Sequence, residues 1–198
     1  MTPPRTDVAA VILAGGRGRR LGGVVKPLLA IEGRAIIDRL RDALAPHAHE
    51  LLLAVADPAQ AQGLGDARLV IDAVPGAGPV AGLAAARAAT DARWLIAVAG
   101  DMPHVTSAVI AALLARAGDD VDAVAIRLGT PPLPEPLLAV WGRAAAPMMA
   151  RALERGRYRT SALLTDDGLR VAWLEEADLR AVDPQLRSVQ NVNRPTDL

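Results

Sequence analysis

The stretch Val8-Ala9-Ala10-Val11-Ile12-Leu13-Ala14-Gly15-Gly16-Arg17-Gly18-Arg19-Arg20-Leu21-Gly22-Gly23-Val24-Val25-Lys26 decides how this chain is read. An apolar run of strand length passes into a loop with five glycines and three arginines, and the loop ends at the chain's only lysine. Glycines let backbone N–H groups turn toward an anion without interference from Cβ, and the arginines and Lys26 add positive charge. A Walker loop would need Ser or Thr after the lysine, where Pro27 stands. A dinucleotide fingerprint would need glycine at the position of Leu21. An unliganded glycine-rich surface loop is the plainer alternative. All the other basic residues are arginines, so one compact ammonium after such a loop is chemically singular.

Working outward, short apolar runs alternate with longer amphipathic stretches. Strands are expected at Val8–Leu13, Leu51–Val55, Arg68–Ile71, Trp94–Val98, Ala123–Arg127, Leu137–Trp141 and Val171–Leu174. Helices are expected at Ala35–Ala45, Val80–Ala89, Ser107–Ala117 and Ala144–Arg155, with Thr106 as an N-cap and Pro79 in a first turn. That alternation predicts βαβ units: one α/β domain over residues 1–198, three-layer α/β/α, with a mainly parallel, Rossmann-like sheet. Gly129–Pro136 holds four of the 15 prolines and reads as a loop crossing the substrate cleft.

Composition narrows the chemistry. The chain is 52% hydrophobic and 22% charged, as a folded globular protein is. Its formal charge is zero, which gives no electrostatic reason to expect nucleic acid or an anionic membrane. No cysteine is present, so disulfides, thiolate metal sites and Cys nucleophiles are excluded. The first apolar run is too short to span a bilayer and its charge follows it, so the expected location is the cytoplasm. His47 and His49 are expected to be exposed at a helix end, and no Ser-His-Asp or His-metal spacing appears.

Asp72 and Asp101 each fall just past a predicted strand. Ligands of open parallel sheets bind outside the carboxyl ends of strands, so both acids and the glycine loop can meet in one cleft. The small neighbours of Asp101 leave room for a hydrated cation. The alternative makes each acid a turn or N-cap residue. Pro75-Gly76-Ala77-Gly78-Pro79 opens a helix whose amides suit a phosphate, or is simply a tight turn. Arg157 and Arg159 flank Tyr158 and read as a solvated helix end or as a surface for a second substrate.

These blocks resemble the molybdenum cofactor guanylyltransferases, which attach GMP to molybdopterin. The matching segments are Leu13-Ala14-Gly15-Gly16 through Arg20-Leu21-Gly22 to Lys26, Asp72 to Pro79 with Ala81-Gly82-Leu83, and Gly100-Asp101-Met102-Pro103. Pro136-Leu137 with Ala139-Val140-Trp141 and the closing Asn191-Val192-Asn193-Arg194-Pro195-Thr196-Asp197-Leu198 support them. The resemblance implies a nucleotidyltransferase sheet whose N-terminal half binds GTP and Mg²⁺ and whose C-terminal half faces molybdopterin. It implies GTP binding by Leu13, Ala14, Gly15, Gly16, Arg20, Lys26, Asp72 and Asp101. Lys26 and Asp101 are then the catalytic pair, and Asp101 carries Mg²⁺. The molybdopterin side is expected at Arg157, Arg159, Asn191 and Asn193, and the product is expected to pass to an apo-molybdoenzyme.

Two positions depart from that family's pattern. Val25 stands where an Asp usually precedes the lysine, and Ala54 where a nucleotide-contacting Asn can occur. Two alternatives share the same site: a CTP-dependent cytidylyltransferase for the same cofactor, and a GTP-binding assembly or regulatory protein without turnover.

Overall fold

The computed structural model describes residues 5–15, 25–72, 74, 76–165 and 168–192. In chain order the strands are β1 (Arg5–Leu13), β2 (Ala30–Ile31), β3 (Arg34–Ala35), β4 (Ala48–Val55), β5 (Arg68–Ile71), β6 (Trp94–Ala99), β7 (Ala123–Leu128), β8 (Leu133–Gly142) and β9 (Val171–Glu175). The helices are α1 (Ile36–Leu44), α2 (Pro79–Ala89), α3 (Ser107–Leu114), α4 (Ala146–Glu154), α5 (Thr160–Thr165) and α6 (Glu176–Val182). Seven strands form one sheet in the order β5-β4-β1-β6-β8-β7-β9, while β2 and β3 make a separate small hairpin. Pairing is parallel from β5 to β6 and between β7 and β9; β8 runs antiparallel to both its neighbours.

The continuous apolar character of β1 has a direct structural cause, because both faces of the strand are covered. Val8, Ala10 and Ile12 join a core that contains Ile36, Ile37 and Leu40 of α1, Ile110 of α3 and Leu179 of α6. Ala9 and Val11 point to the opposite core, with Val80 and Leu83 of α2, Met149 of α4 and Leu163 of α5. This is the expected three-layer α/β/α arrangement. Every expected strand and helix is present. α3 stops at Leu114, three residues short, although Thr106 caps its start by accepting from the Val109 N–H.

Two expectations need correction. The proline-rich segment is not a loop across the cleft: Leu133–Pro136 are part of β8 and pair with β7 in the register Ile126↔Glu135, Arg127↔Pro134 and Leu128↔Leu133. Proline's fixed φ suits extended backbone, and a pairing irregularity tolerates its missing donor. His47 is half-buried rather than exposed, whereas His49 is exposed as expected. His47 Nε2 meets Ser107 Oγ at 2.8 Å, and His49 Nδ1 donates to the Val8 carbonyl at 2.7 Å. Residues 160–165 form α5, which was not among the expected helices. Among the described residues, no helix is long and apolar enough to cross a membrane.

Candidate active site

The carboxyl end of β1 lies in the interior of the sheet, between β4 and β6, and is clamped from both sides. The Ala14 N–H donates to the Ala54 carbonyl on β4 at 2.8 Å, and the Gly100 N–H donates to the Leu13 carbonyl at 3.0 Å. Ala14 and Gly15 therefore leave the sheet between β4 and β6. Asp72 is tied to the same edge, since its N–H donates to the Val55 carbonyl at 3.0 Å.

The chain returns to this edge at Lys26–Leu28, a single 3₁₀ turn. Its approach depends on Gly100. A Cβ there would lie 2.7 Å from Pro27 Cγ and 3.1 Å from the Leu13 carbonyl oxygen, too close for a side chain. The glycine before Asp101 thus lets the segment carrying Lys26 pass directly over the end of β6. As a result Lys26 Nζ and Asp101 Oδ2 stand 2.8 Å apart, although 75 residues separate them in sequence. Each side chain is only 19% exposed, so the pair is shielded from much of the screening that weakens surface ion pairs.

Leu13, Ala14, Gly15, Lys26, Asp72 and Asp101 line one cavity of about 260 Å³. The first turn of α2, at Gly78 and Pro79, closes one side. Gly82 keeps the floor open: a Cβ there would stand 3.0 Å from Asp72 Oδ1 and 3.2 Å from Ala54 Cβ. Asp72 Oδ1 is buried without a hydrogen-bond partner. Burial pushes the Asp72 carboxyl up to about 6. A buried acceptor without a partner is costly by itself and fits a donor or cation brought by a ligand.

Other expected site residues fall elsewhere. Gly16, Arg20 and Asn193 lie outside the described residues. Arg157 and Arg159 are exposed after α4 and do not line the cavity. Asn191 is exposed too, but its neighbour Val192 is buried and donates its N–H to the Asp101 carbonyl at 2.8 Å. Val192 is thereby fastened to the Asp101 turn. The two departures have local accounts. Val25 packs against the core on the α1 side, and Ala54 is buried in β4 beside Gly82.

One acid of this region was missed in the sequence. Glu135 on β8 is half-buried, and its Oε1 accepts the Leu137 N–H at 2.8 Å. Burial, with a smaller contribution from the charge of Asp101, raises its pKa above the ordinary glutamate value. Its place directly before the Pro136-Leu137 match was the available signal.

The MobA-like NTP transferase domain model matches residues 10–170. The chain belongs to this family. A probable molybdenum cofactor guanylyltransferase from Methanosarcina acetivorans is 32% identical, with 100% of this chain and 92% of that protein covered. The molybdenum cofactor guanylyltransferase of Acidiphilium cryptum is 36% identical over 89% of each chain. Among solved structures, molybdopterin-guanine dinucleotide biosynthesis protein A from Archaeoglobus fulgidus superposes with a TM-score of 0.78 at 30% identity, covering 96% of this chain and 94% of that one. The MobA-like sheet extends further: 2-C-methyl-D-erythritol 4-phosphate cytidylyltransferase from Thermus thermophilus, 20% identical with a TM-score of 0.66 over 94% and 93% of the two chains, has the same fold.

Proposed function

We propose that this protein is a molybdenum cofactor guanylyltransferase, joining GMP from GTP to the phosphate of molybdopterin. A phosphate oxygen of molybdopterin attacks the α-phosphorus of GTP, the bond from that phosphorus to the α–β bridging oxygen breaks, and pyrophosphate leaves. The observation that carries this reading is the Lys26–Asp101 pair, set with Asp72 in one cavity at the carboxyl edge of the sheet. The named relatives support it.

The chemistry asks for alignment and charge neutralisation rather than a base. A phosphate monoester has a second pKa near ~6, so its attacking oxygen is already largely ionised at neutral pH. Without nucleotide, Lys26 and Asp101 neutralise each other. With GTP, the Lys26 ammonium turns to the α-phosphoryl and pyrophosphate oxygens, where charge develops. Gly15 and Gly16 offer backbone amides to the triphosphate, Arg20 adds positive charge, and Leu13 and Ala14 border the base and ribose. Asp72 accepts from the nucleotide.

Asp101 and Asp72 present hard carboxylate oxygens that fit Mg²⁺. Among the described residues no group of three or more His, Asp or Glu surrounds such an ion. That suits a cation that keeps much of its water and binds through one or two carboxylates and substrate phosphates. Bound on Asp101, Mg²⁺ supplies charge neutralisation between the two anionic substrates.

In this reading the N-terminal half handles GTP, and the C-terminal half, with Arg157, Arg159, Asn191 and Asn193, receives molybdopterin. The protein works in the cytoplasm and hands its product to an apo-molybdoenzyme; nucleic acid and membrane play no part. The test is incubation with Mg²⁺, molybdopterin and either GTP or CTP, following pyrophosphate and the dinucleotide product. Faster product formation from CTP would reassign the base, and tight GTP binding without pyrophosphate would make the protein a non-catalytic GTP binder.

A further inference from the structure

The strand order spaces the acids of the carboxyl edge. Asp72 follows β5 at one rim, Asp101 follows β6, and Glu135 lies on β8, beyond Asp101 from Asp72. The cavity between β5 and β6 contains Lys26, Asp72 and Asp101 but not Glu135. Leu137, two residues further along, is its wall. Glu135 therefore stands outside the nucleotide space, behind that wall.

A bulge puts it there. Strand β8 follows β6 through Ala97↔Ala139 and Val98↔Leu138. On its other side the register with β7 jumps from Ala125↔Ala139 to Ile126↔Glu135, which inserts Pro136, Leu137 and Leu138 without partners on β7. Insertions of this kind bend a strand and re-aim its side chains, often beside active sites. Here the bend is held by the carboxylate itself, through Oε1 and the Leu137 N–H. No cationic side chain is paired with Glu135 among the described residues. A half-buried carboxylate with one neutral hydrogen bond is costly unless something else uses its remaining lone pairs.

We infer that Glu135 is a specificity-determining residue for the second substrate, its Oε2 accepting an N–H of the 2-amino-4-oxopyrimidine edge of the pterin. This rests on the guanylyltransferase reading, which defines the second substrate and the side from which it must come. A carboxylate beside Asp101 repels the substrate's phosphate, so the part it attracts is the donor edge of the ring. The amino group and the adjacent ring N–H give that edge the polarity a carboxylate requires.

The test is equilibrium binding of molybdopterin, with GTP and Mg²⁺ affinities measured separately, on the wild-type protein and E135Q. Glutamine keeps an oxygen for the Leu137 N–H, so the bulge and the cavity wall survive the change. A hydrogen bond to a charged group contributes about 1.5–3 kcal/mol, so E135Q should bind molybdopterin ~10- to 100-fold more weakly with GTP and Mg²⁺ binding unchanged. A simple 6-substituted pterin should show the same loss as a competitor. Unchanged molybdopterin affinity in E135Q would overturn the inference. So would a fall confined to GTP or Mg²⁺ affinity, which would move Glu135 to the cation side. Wild-type protein that binds molybdopterin but makes no dinucleotide would instead count against the guanylyltransferase reading and leave the Glu135 comparison measurable.

Discussion

The two edges of the sheet treat carboxylates in opposite ways. At the amino edge, Asp122 precedes β7 and is met by Arg170 before β9: the Arg170 N–H donates at 2.9 Å, Nε at 3.1 Å and Nη2 at 2.8 Å. These hydrogen bonds hold the Asp122 carboxyl below the usual aspartate range. At the carboxyl edge, Asp72 has a buried oxygen with no partner and a pKa raised to about 6. The first acid is satisfied by its own chain and staples β7 to β9. The second is left incomplete, and incompleteness at the end of a parallel sheet marks the place where a ligand finishes the hydrogen bonding.

On that contrast, substitutions at the two edges should separate activity from stability. The largest effect is expected for Asp101→Asn, which should abolish Mg²⁺-dependent guanylyl transfer while the circular dichroism spectrum stays native. Retained activity with unchanged metal dependence would move the cation elsewhere. Next comes Lys26→Ala. Loss of one preorganised stabiliser of transition-state charge lowers turnover by on the order of 10²- to 10³-fold. Turnover near the wild-type value would exclude Lys26 from the chemistry.

The amino edge should respond in the reverse sense. Asp122→Ala removes the hydrogen bonds from Arg170 and should lower unfolding free energy by about 1–2 kcal/mol, the modest range expected where one partner is largely exposed. Its kcat should equal that of the wild type. Denaturant titration and steady-state kinetics on the same preparation decide the matter, and a kinetic defect without a stability loss would erase the distinction between the edges.

The division between what the sequence disclosed and what it hid follows the same physics. All seven strands of the sheet were visible because their apolar runs are bounded by turn-forming residues. The two-residue strands of the β2–β3 hairpin carry too few residues for any periodicity. Helix α6 begins at the residue after β9 ends, and Glu175 provides no side-chain cap, so nothing in the composition announces the change. Lys26 and Asp101 could be named from the glycine loop and the strand end, but their contact depends on Gly100 leaving space for Pro27, a packing fact. Glu135 was hidden by its flanking prolines, which suggested a loop where a bulged strand exists.

The smallest expected effect offers the finest test of the contrast, because it predicts a gain. An ionised Asp72 is unfavourable in the folded protein, which holds its proton up to about pH 6, whereas the ordinary value for an aspartate carboxyl is 3.8. Between those values the native state binds more protons than the unfolded state, so stability declines as pH rises through the window and stays lower above it. The shift from 3.8 to about 6 sets a ceiling of ~3 kcal/mol, and access of water through the cavity mouth reduces the expected penalty to about 1 kcal/mol. Asp72→Asn removes this titration. It should match the wild type in stability near pH 4, gain about 1 kcal/mol by pH 8, and bind GTP less tightly, the exchange of stability for function expected at a working site. Parallel wild-type and variant stability curves from pH 4 to 8 would mean that Asp72 is not held at a disadvantage, and the contrast with Asp122 would lose its basis.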